Sequence, residues 1–275
     1  MKKVLILVFV MLVGLLTGCS KQTFDFEKGI LVVGLEAAYA PFNWMEIEKT
    51  DTNHPLQGMN AYVEGYDVQI AKRLAEDLEL ELVIKMVDWD GLILALQSGM
   101  IDVVIAGMSP TEERKEQINF TDAYYESEHV VIVRKDGKYS NAQDINDFSG
   151  AKIIGQKLTI YDKLAEQLHS HNSGSVHQTP LSTIPEIVNA IKTGVSDVTV
   201  VEKPVALSIV NNNQELKIIT LATAFEVEEY EKIVSIGVRK EDTKLLEALN
   251  NSLAKITKTE RDEIMLQATG SAPEE

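Results

Sequence analysis

The chain has 275 residues, enough for one large domain or two ordinary ones. Hydrophobic residues make up 45%, an ordinary globular share, which argues for a sizeable core and against disorder. A formal net charge of −16 argues against a nucleic-acid partner, because phosphate binding needs basic surface.

The first segment reads as an address rather than as part of the fold. Lys2 and Lys3 precede an apolar run over residues 4–16, about the length of a signal-peptide core and too short to span a bilayer comfortably. Leu16-Thr17-Gly18-Cys19 then resembles the lipobox of bacterial lipoproteins. The resemblance implies a signal peptide over residues 1–18, Cys19 as the lipid attachment site and a lipidated tether over residues 19–27. Acyl chains such as palmitate would hold the protein at the extracellular face of a cell membrane. The alternative is a secreted protein with an incidental cysteine. Cys19 is the only cysteine, so an internal disulfide and a Cys-based metal site are excluded.

Residues 30–35 predict a first strand. A loop follows over residues 36–44, where Pro41 bars a helix interior. Residues 51–65 are polar and turn-rich and read as a surface excursion. Residues 66–80 predict a helix with Ile70, Ala71, Leu74, Ala75 and Leu78 on one face. Leu82, Ile84 and Met86 alternate as a strand, and a helix over residues 91–98 ends at Gly99. Residues 103–106 predict a buried strand. Residues 129–134 and 151–155 are further strands, and residues 159–169 a helix. Residues 184–193 predict another helix, with Pro185 tolerated in its first turn. A helix over 203–211, strands over 216–221 and 233–238, an amphipathic helix over 242–256 and a short helix over 260–267 complete the chain. Alternating strands and helices throughout mean α/β.

One stretch organises the rest. Val103 to Ala106 is short, apolar and mostly β-branched, as suits a strand covered on both faces. It ends at Gly107 and Ser109, and Thr111 then caps a helix whose first turn carries Glu112 and Glu113. A strand end followed by a helix N-terminus is a ready anion site, and Arg114 adds a planar fork that matches a carboxylate. The bland alternative is an ordinary turn with a surface arginine. A second copy weighs against it: residues 95–105 align with residues 190–200, each a helix end, a glycine, an aspartate and a buried strand. The second strand runs out at Glu202. Two such units suggest two α/β lobes that aim strand ends at a shared crevice. One end offers Arg114 and hydroxyls, the other a carboxylate, and that pairing suits a zwitterion.

At this point the residues resemble a known family. Gly107-Met108-Ser109, Thr111, Glu113-Arg114, Phe120-Thr121-Asp122 and Tyr124-Tyr125 look like the polar amino-acid-binding proteins of ABC importers, family 3 of the extracellular solute-binding proteins. Tyr39-Ala40-Pro41-Phe42, Gly65-Tyr66-Asp67-Val68, Trp89-Asp90-Gly91-Leu92 and Val201-Glu202-Lys203-Pro204 match in order. The resemblance implies a two-lobed periplasmic-binding-protein-like fold of type II with two hinge crossover strands. Lobe one would take residues 28–125 and 234–275, and lobe two residues 126–233, with hinges near Glu126 and Ile233. It implies that Arg114 clamps a ligand α-carboxylate, helped by Ser109 and by Thr159 from the second lobe. The Gly107 carbonyl and Glu202 would take the α-ammonium. Tyr39 and Trp89 would sandwich the side chain, and Glu36 and Gln156 would touch its tip. Departures are Pro110 for an apolar residue, Leu158 for a frequent glycine, Tyr161 for Gln in some relatives, and Glu202 where many carry Asp.

Glu36 at the pocket end favours a positive or hydrogen-bond-donating tip, and aromatic faces favour a cation. The expected ligand is a free L-amino acid: arginine or lysine first, then histidine or glutamine. The expected partner is a membrane permease, with the binding protein itself a monomer without cofactor or metal. Taken alone, Tyr39 and Trp89 could be core packing. His169, His171 and His177 lie in a polar loop without a well-placed further ligand, so no metal site is expected. Glu202 with Glu36 could be imagined as the acid/base pair of a dehydratase-like enzyme. The chain carries no Gly-x-Ser-x-Gly, His-Glu-x-x-His or phosphate loop, and a binder rather than an enzyme is expected. A ligand-sensing ectodomain is the third reading.

Overall fold

The computed structural model describes residues 23–273 except residue 224. The expected signal peptide, Cys19 and the first part of the tether lie outside the described residues. Among the described residues no helix is long and apolar enough to cross a membrane.

In chain order the strands are β1 (Ile30–Leu35), β2 (Ala38–Tyr39), β3 (Asn43–Glu46), β4 (His54–Pro55), β5 (Tyr62–Glu64), β6 (Glu81–Met86), β7 (Val103–Val104), β8 (Asn119–Glu126), β9 (His129–Arg134), β10 (Lys152–Ile154), β11 (Val176–His177), β12 (Val198–Glu202), β13 (Leu216–Ile219) and β14 (Ile233–Val238). The helices are α1 (Tyr66–Asp77), α2 (Leu92–Gln97), α3 (Glu112–Gln117), α4 (Ile160–Ser170), α5 (Ile184–Lys192), α6 (Lys203–Asn212), α7 (Thr243–Leu253) and α8 (Lys258–Ser271).

Two five-stranded sheets carry the architecture. Their orders are β6-β1-β7-β14-β8 and β11-β10-β12-β9-β13. In each, three parallel strands are followed by two antiparallel ones. Each parallel strand aims its C-terminal end at the space between the sheets, so the repeat seen in the sequence is a repeat in space. Gly99 and Gly194 end their helices with the same left-handed φ of 75°. Asp102 accepts from the Val32 N–H at 3.1 Å, and Asp197 from the Lys152 N–H at 2.9 Å. Their own N–H groups donate back to the carbonyls of Val32 and Lys152. Each aspartate therefore staples its helix-strand joint to the neighbouring parallel strand.

The chain leaves the first sheet at Glu126, enters the second at His129, and returns through Ile233, which pairs with Glu126. A further tie joins the sheets' helices. Asn212, at the end of α6, donates from its side-chain amide to the carbonyls of Ala272 and Pro273 beyond α8.

Three expectations need correction. The loop over residues 36–44 contains β2 and β3, and the excursion over residues 51–65 contains β4 and β5. Together they form a four-stranded antiparallel sheet that buries Leu56, Ala61 and Val63. Residues 119–126, which no periodicity marked, form an eight-residue strand held by β14. The last helix is longer than its apolar pattern, because a capping box of Thr257 and Glu260 starts it at Lys258.

Candidate ligand-binding site

Five strand ends supply the site; Trp89 follows β6. After β1 come Glu36, Ala37 and Tyr39; Ala37 sits in the left-handed region at φ 56°, and its N–H is held by the Asn43 side chain at 2.7 Å. After β7 the chain turns through Gly107 at φ 59° and reaches Thr111, whose hydroxyl caps α3 by accepting from the Arg114 N–H. A side chain at Gly107 would drive a Cβ to 2.6 Å from the Tyr39 ring, so glycine is required there by space as well as by φ. After β10 come Gln156, Leu158 and Thr159, the last capping α4. Glu202 ends β12 and stands directly before α6.

Glu36, Tyr39, Trp89, Gly107, Ser109, Arg114, Gln156 and Thr159 line one cavity of ≈ 20 Å³, together with Ile160 and Tyr161. That volume holds about one water-sized sphere, so a larger guest requires the lobes or side chains to part. A neighbouring chamber of ≈ 220 Å³ shares Glu36 and Trp89 and adds Asp88, Asp90, Lys157 and Thr183. Of the nine residues expected, Glu202 alone does not line the cavity wall. It lies behind two tyrosines: Tyr161 donates to its Oε1 at 2.7 Å, and the Tyr39 hydroxyl lies 3.4 Å from the same atom. The two hydroxyls also touch each other across the lobes.

Each of the two aromatic rings also has a neighbour within the chain. Tyr39 stacks on Phe42 at 5.1 Å. Trp89 lies under the Arg114 guanidinium, 5.0 Å from its ring centre, and donates its N–H to the Leu158 carbonyl. Arg114 is half-buried. It donates to the carbonyls of Ser109 at 2.8 Å and Leu158 at 3.1 Å. At the other end Gln156 donates to both Glu36 oxygens, at 3.2 and 3.3 Å, and to the Ser182 carbonyl.

The electrostatics are unbalanced in a specific way. Among the described residues no carboxylate lies within ion-pair distance of Arg114, whose pKa burial lowers to about 10. Burial pushes Glu202 up to about 7 against the Tyr161 hydrogen bond, and its Oε2 is buried with no hydrogen-bond partner. Burial likewise raises Glu36 to about 7. A half-buried cation without an anion lines the cavity, and a buried acid with a spare acceptor lies behind the tyrosines of its wall. Uncompensated, such groups cost several kcal/mol, so the pair is complementary to a molecule carrying both charges.

Tyr161 and Ile160 were absent from the expected wall. The signal for Tyr161 was its place in the first turn of the helix that Thr159 caps. Of the histidines expected in a polar loop, His169 lies in α4 and bonds Ser175, and His177 lies in β11 and bonds Asp162. Among the described residues no group of three or more His, Cys, Asp or Glu side chains is placed to hold a metal.

Residues 31–270 match the model of the bacterial extracellular solute-binding proteins, family 3. The arginine-binding extracellular protein ArtP of Bacillus subtilis is 29% identical over 256 residues, covering 92% of each chain. The L-cystine-binding protein TcyJ of Escherichia coli is 28% identical over 257 residues, 90% of this chain and 88% of that one. Among solved structures, the amino-acid ABC transporter substrate-binding protein AbpA of Streptococcus pneumoniae, bound to L-arginine, superposes with a TM-score of 0.74 at 28% identity, covering 90% of this chain and 98% of that one. The two sheets with matching strand order are thus the lobes of a type II periplasmic-binding-protein-like fold, and the chain belongs to family 3 of the bacterial extracellular solute-binding proteins.

Proposed function

We propose that the chain is the extracellular substrate-binding protein of an amino-acid ABC importer, taking a free L-amino acid between its lobes and delivering it to the permease. The observation that carries this reading is Arg114, a cation on the cavity wall without a counter-charge among the described residues, with the buried acid Glu202 and its spare oxygen behind Tyr39 and Tyr161. The α-carboxylate would replace the carbonyl contacts of Arg114, with Ser109 and Thr159 beside it. The α-ammonium would meet the Gly107 carbonyl and the Glu202 acid, through or between the hydroxyls of Tyr39 and Tyr161. Trp89, Glu36 and Gln156 would face the side chain. Glu36 favours a cationic tip, so arginine or lysine ranks first and histidine or glutamine next. Relatives named for arginine, histidine, glutamine and cystine bracket that choice.

The proposal divides the fold into lobe one, residues 28–125 and 234–275, and lobe two, residues 126–233, closing by hinge motion near Glu126 and Ile233. Cleavage after Gly18 and lipidation of Cys19 would anchor a monomer at the outer face of the cell membrane. The protein binds and releases its ligand without turnover.

Calorimetric titration with single amino acids tests the reading. Saturable one-to-one binding of arginine, lysine, histidine or glutamine is expected. Arg114→Ala weakens it by about 2–5 kcal/mol, as for truncating one partner of a buried charge pair. Near-native affinity in that variant, or chemical conversion of the bound amino acid, refutes the assignment.

A further inference from the structure

Behind the cavity, on the first lobe, lies a fully buried chain of hydrogen bonds. The Gly107 N–H donates to the Tyr124 hydroxyl at 3.0 Å. Tyr124 donates in turn to Asp67 Oδ1 at 2.7 Å. The other oxygen of Asp67 accepts from the Asn43 side-chain amide at 2.8 Å, and Asn43 Oδ1 accepts from the Ala37 N–H at 2.7 Å. Asp67, Tyr124 and Asn43 are each 0% exposed. With Asp67 ionised, every link has one direction. A phenol has one proton, and it goes to the acid, so its oxygen is free to accept from Gly107. Asn43 cannot flip, because its carbonyl is needed by Ala37. Both Asp67 oxygens therefore serve as acceptors.

The chain ends on the two cavity-forming turns of this lobe, at Ala37 next to Glu36 and at Gly107. Both residues have left-handed φ values, 56° and 59°. Such turns hold an orientation only when their peptide groups are fixed from outside. Tyr124 also lies on β8, two residues before the crossing at Glu126, so the same hydroxyl ties the Gly107 turn to the strand that leads out of the lobe.

We propose that Tyr124 and Asp67 are positioning residues for amine recognition: by holding the Gly107 N–H they fix where the turn begins, and so where the next peptide presents the Gly107 carbonyl to the ligand's α-ammonium. This rests on the amino-acid reading above and adds residues that never touch the ligand. The carboxylate end is held by Arg114 and Ser109, which the chain of bonds does not reach. Loss of the relay should therefore weaken amine recognition selectively.

The test compares L-arginine with its des-amino analogue, 5-guanidinopentanoate, by calorimetry on the wild type and Tyr124→Phe. The wild type is expected to prefer L-arginine. In Tyr124→Phe the affinity for L-arginine falls about 10- to 100-fold, while that for the analogue changes less than about threefold. A merely structural role would lower both equally. Asp67→Asn, which turns an N–H donor against the Asn43 amide or the Tyr124 hydroxyl, gives the same selective loss and serves if Tyr124→Phe does not fold. Equal loss for both ligands, or unchanged discrimination, overturns the inference. A wild type that discriminates the amine keeps the amino-acid reading standing in that case. A wild type that binds no amino acid overturns both.

Discussion

Two buried acids, Glu36 on the cavity wall and Glu202 behind it, would make the proposed ligand binding depend on pH at the scale of single residues. Burial raises both from the usual 4.5 to about 7; Asp88 adds to the rise at Glu36, and hydrogen bonds from Gln156 and Tyr161 oppose it at the two sites. Between 4.5 and 7 the folded chain holds protons that the unfolded chain has released. In the unliganded protein these two groups stabilise the fold at low pH, and that contribution is lost as pH rises through about 7. A cationic amino acid reverses the demand, since it pairs with the ionised forms. Affinity for arginine should therefore rise with pH and level off above about 7, changing by up to about tenfold per group per unit below it. Calorimetry at pH 6 in two buffers of different ionisation enthalpy should report proton release on binding. Constant affinity from pH 5.5 to 8 would show that the acids do not face the ligand's charges.

At the scale of elements, the repeated helix-strand joint makes two equivalent aspartates that are not equally important. Asp102 and Asp197 each accept from a backbone N–H of the adjacent strand. Asp102 also pairs with the buried Arg239, 3.1 Å away. The Arg239 Nε lies 2.7 Å from Asp242, close in charge but not aligned as a hydrogen bond, so Asp102 supplies the aligned carboxylate contact. Asp197→Ala should cost about 1 kcal/mol, the worth of a backbone hydrogen bond. Asp102→Ala should cost about 2–4 kcal/mol, because it leaves a buried guanidinium underpaired. Urea unfolding of the two variants decides this, and equal losses would contradict it. The repeat itself was legible in the sequence, since a glycine C-cap, an aspartate and a β-branched run are local signals. So were β1, β9 and β14, and the cap Thr111. The short strands β2 to β5 were not, because each gains its order from partners outside its own two to four residues. Strand β8 was missed for a related reason: its burial alternates poorly, and its ladder partner lies more than a hundred residues away. Of the residues read from strand ends, Gly107, Ser109 and Arg114 line the cavity, and Glu202 lies behind Tyr39 and Tyr161. Tyr161 and the Asp67 relay were harder to see, because their roles exist only once the lobes and the turns behind them have met.

For the whole molecule the question is which contacts between lobes govern closure. Two kinds are present. At the rim, Lys157 pairs with Asp90 at 3.0 Å and Lys163 with Glu113 at 3.1 Å, with all four side chains about half exposed or more. Inside, Tyr161, Gln156 and the Leu158 carbonyl of the second lobe meet Tyr39, Glu36, Trp89 and Arg114 of the first. Exposed ion pairs contribute about 0–1 kcal/mol each and are screened by salt, whereas the Tyr161–Tyr39 and Gln156–Glu36 contacts are buried and less open to competition from water. A ligand favours the closed form only through groups that contact it or one another more strongly there. The Lys157→Ala, Lys163→Ala double variant should therefore lose less than about tenfold in amino-acid affinity at physiological salt, with the difference shrinking further as salt is raised. Arg114→Ala should lose far more and keep its loss at high salt, since the bound carboxylate is shielded from counterions. Titrating both variants across a salt series separates the two contributions. A rim variant that loses as much as Arg114→Ala would mean that closure is driven from the surface, and that the interior contacts follow it.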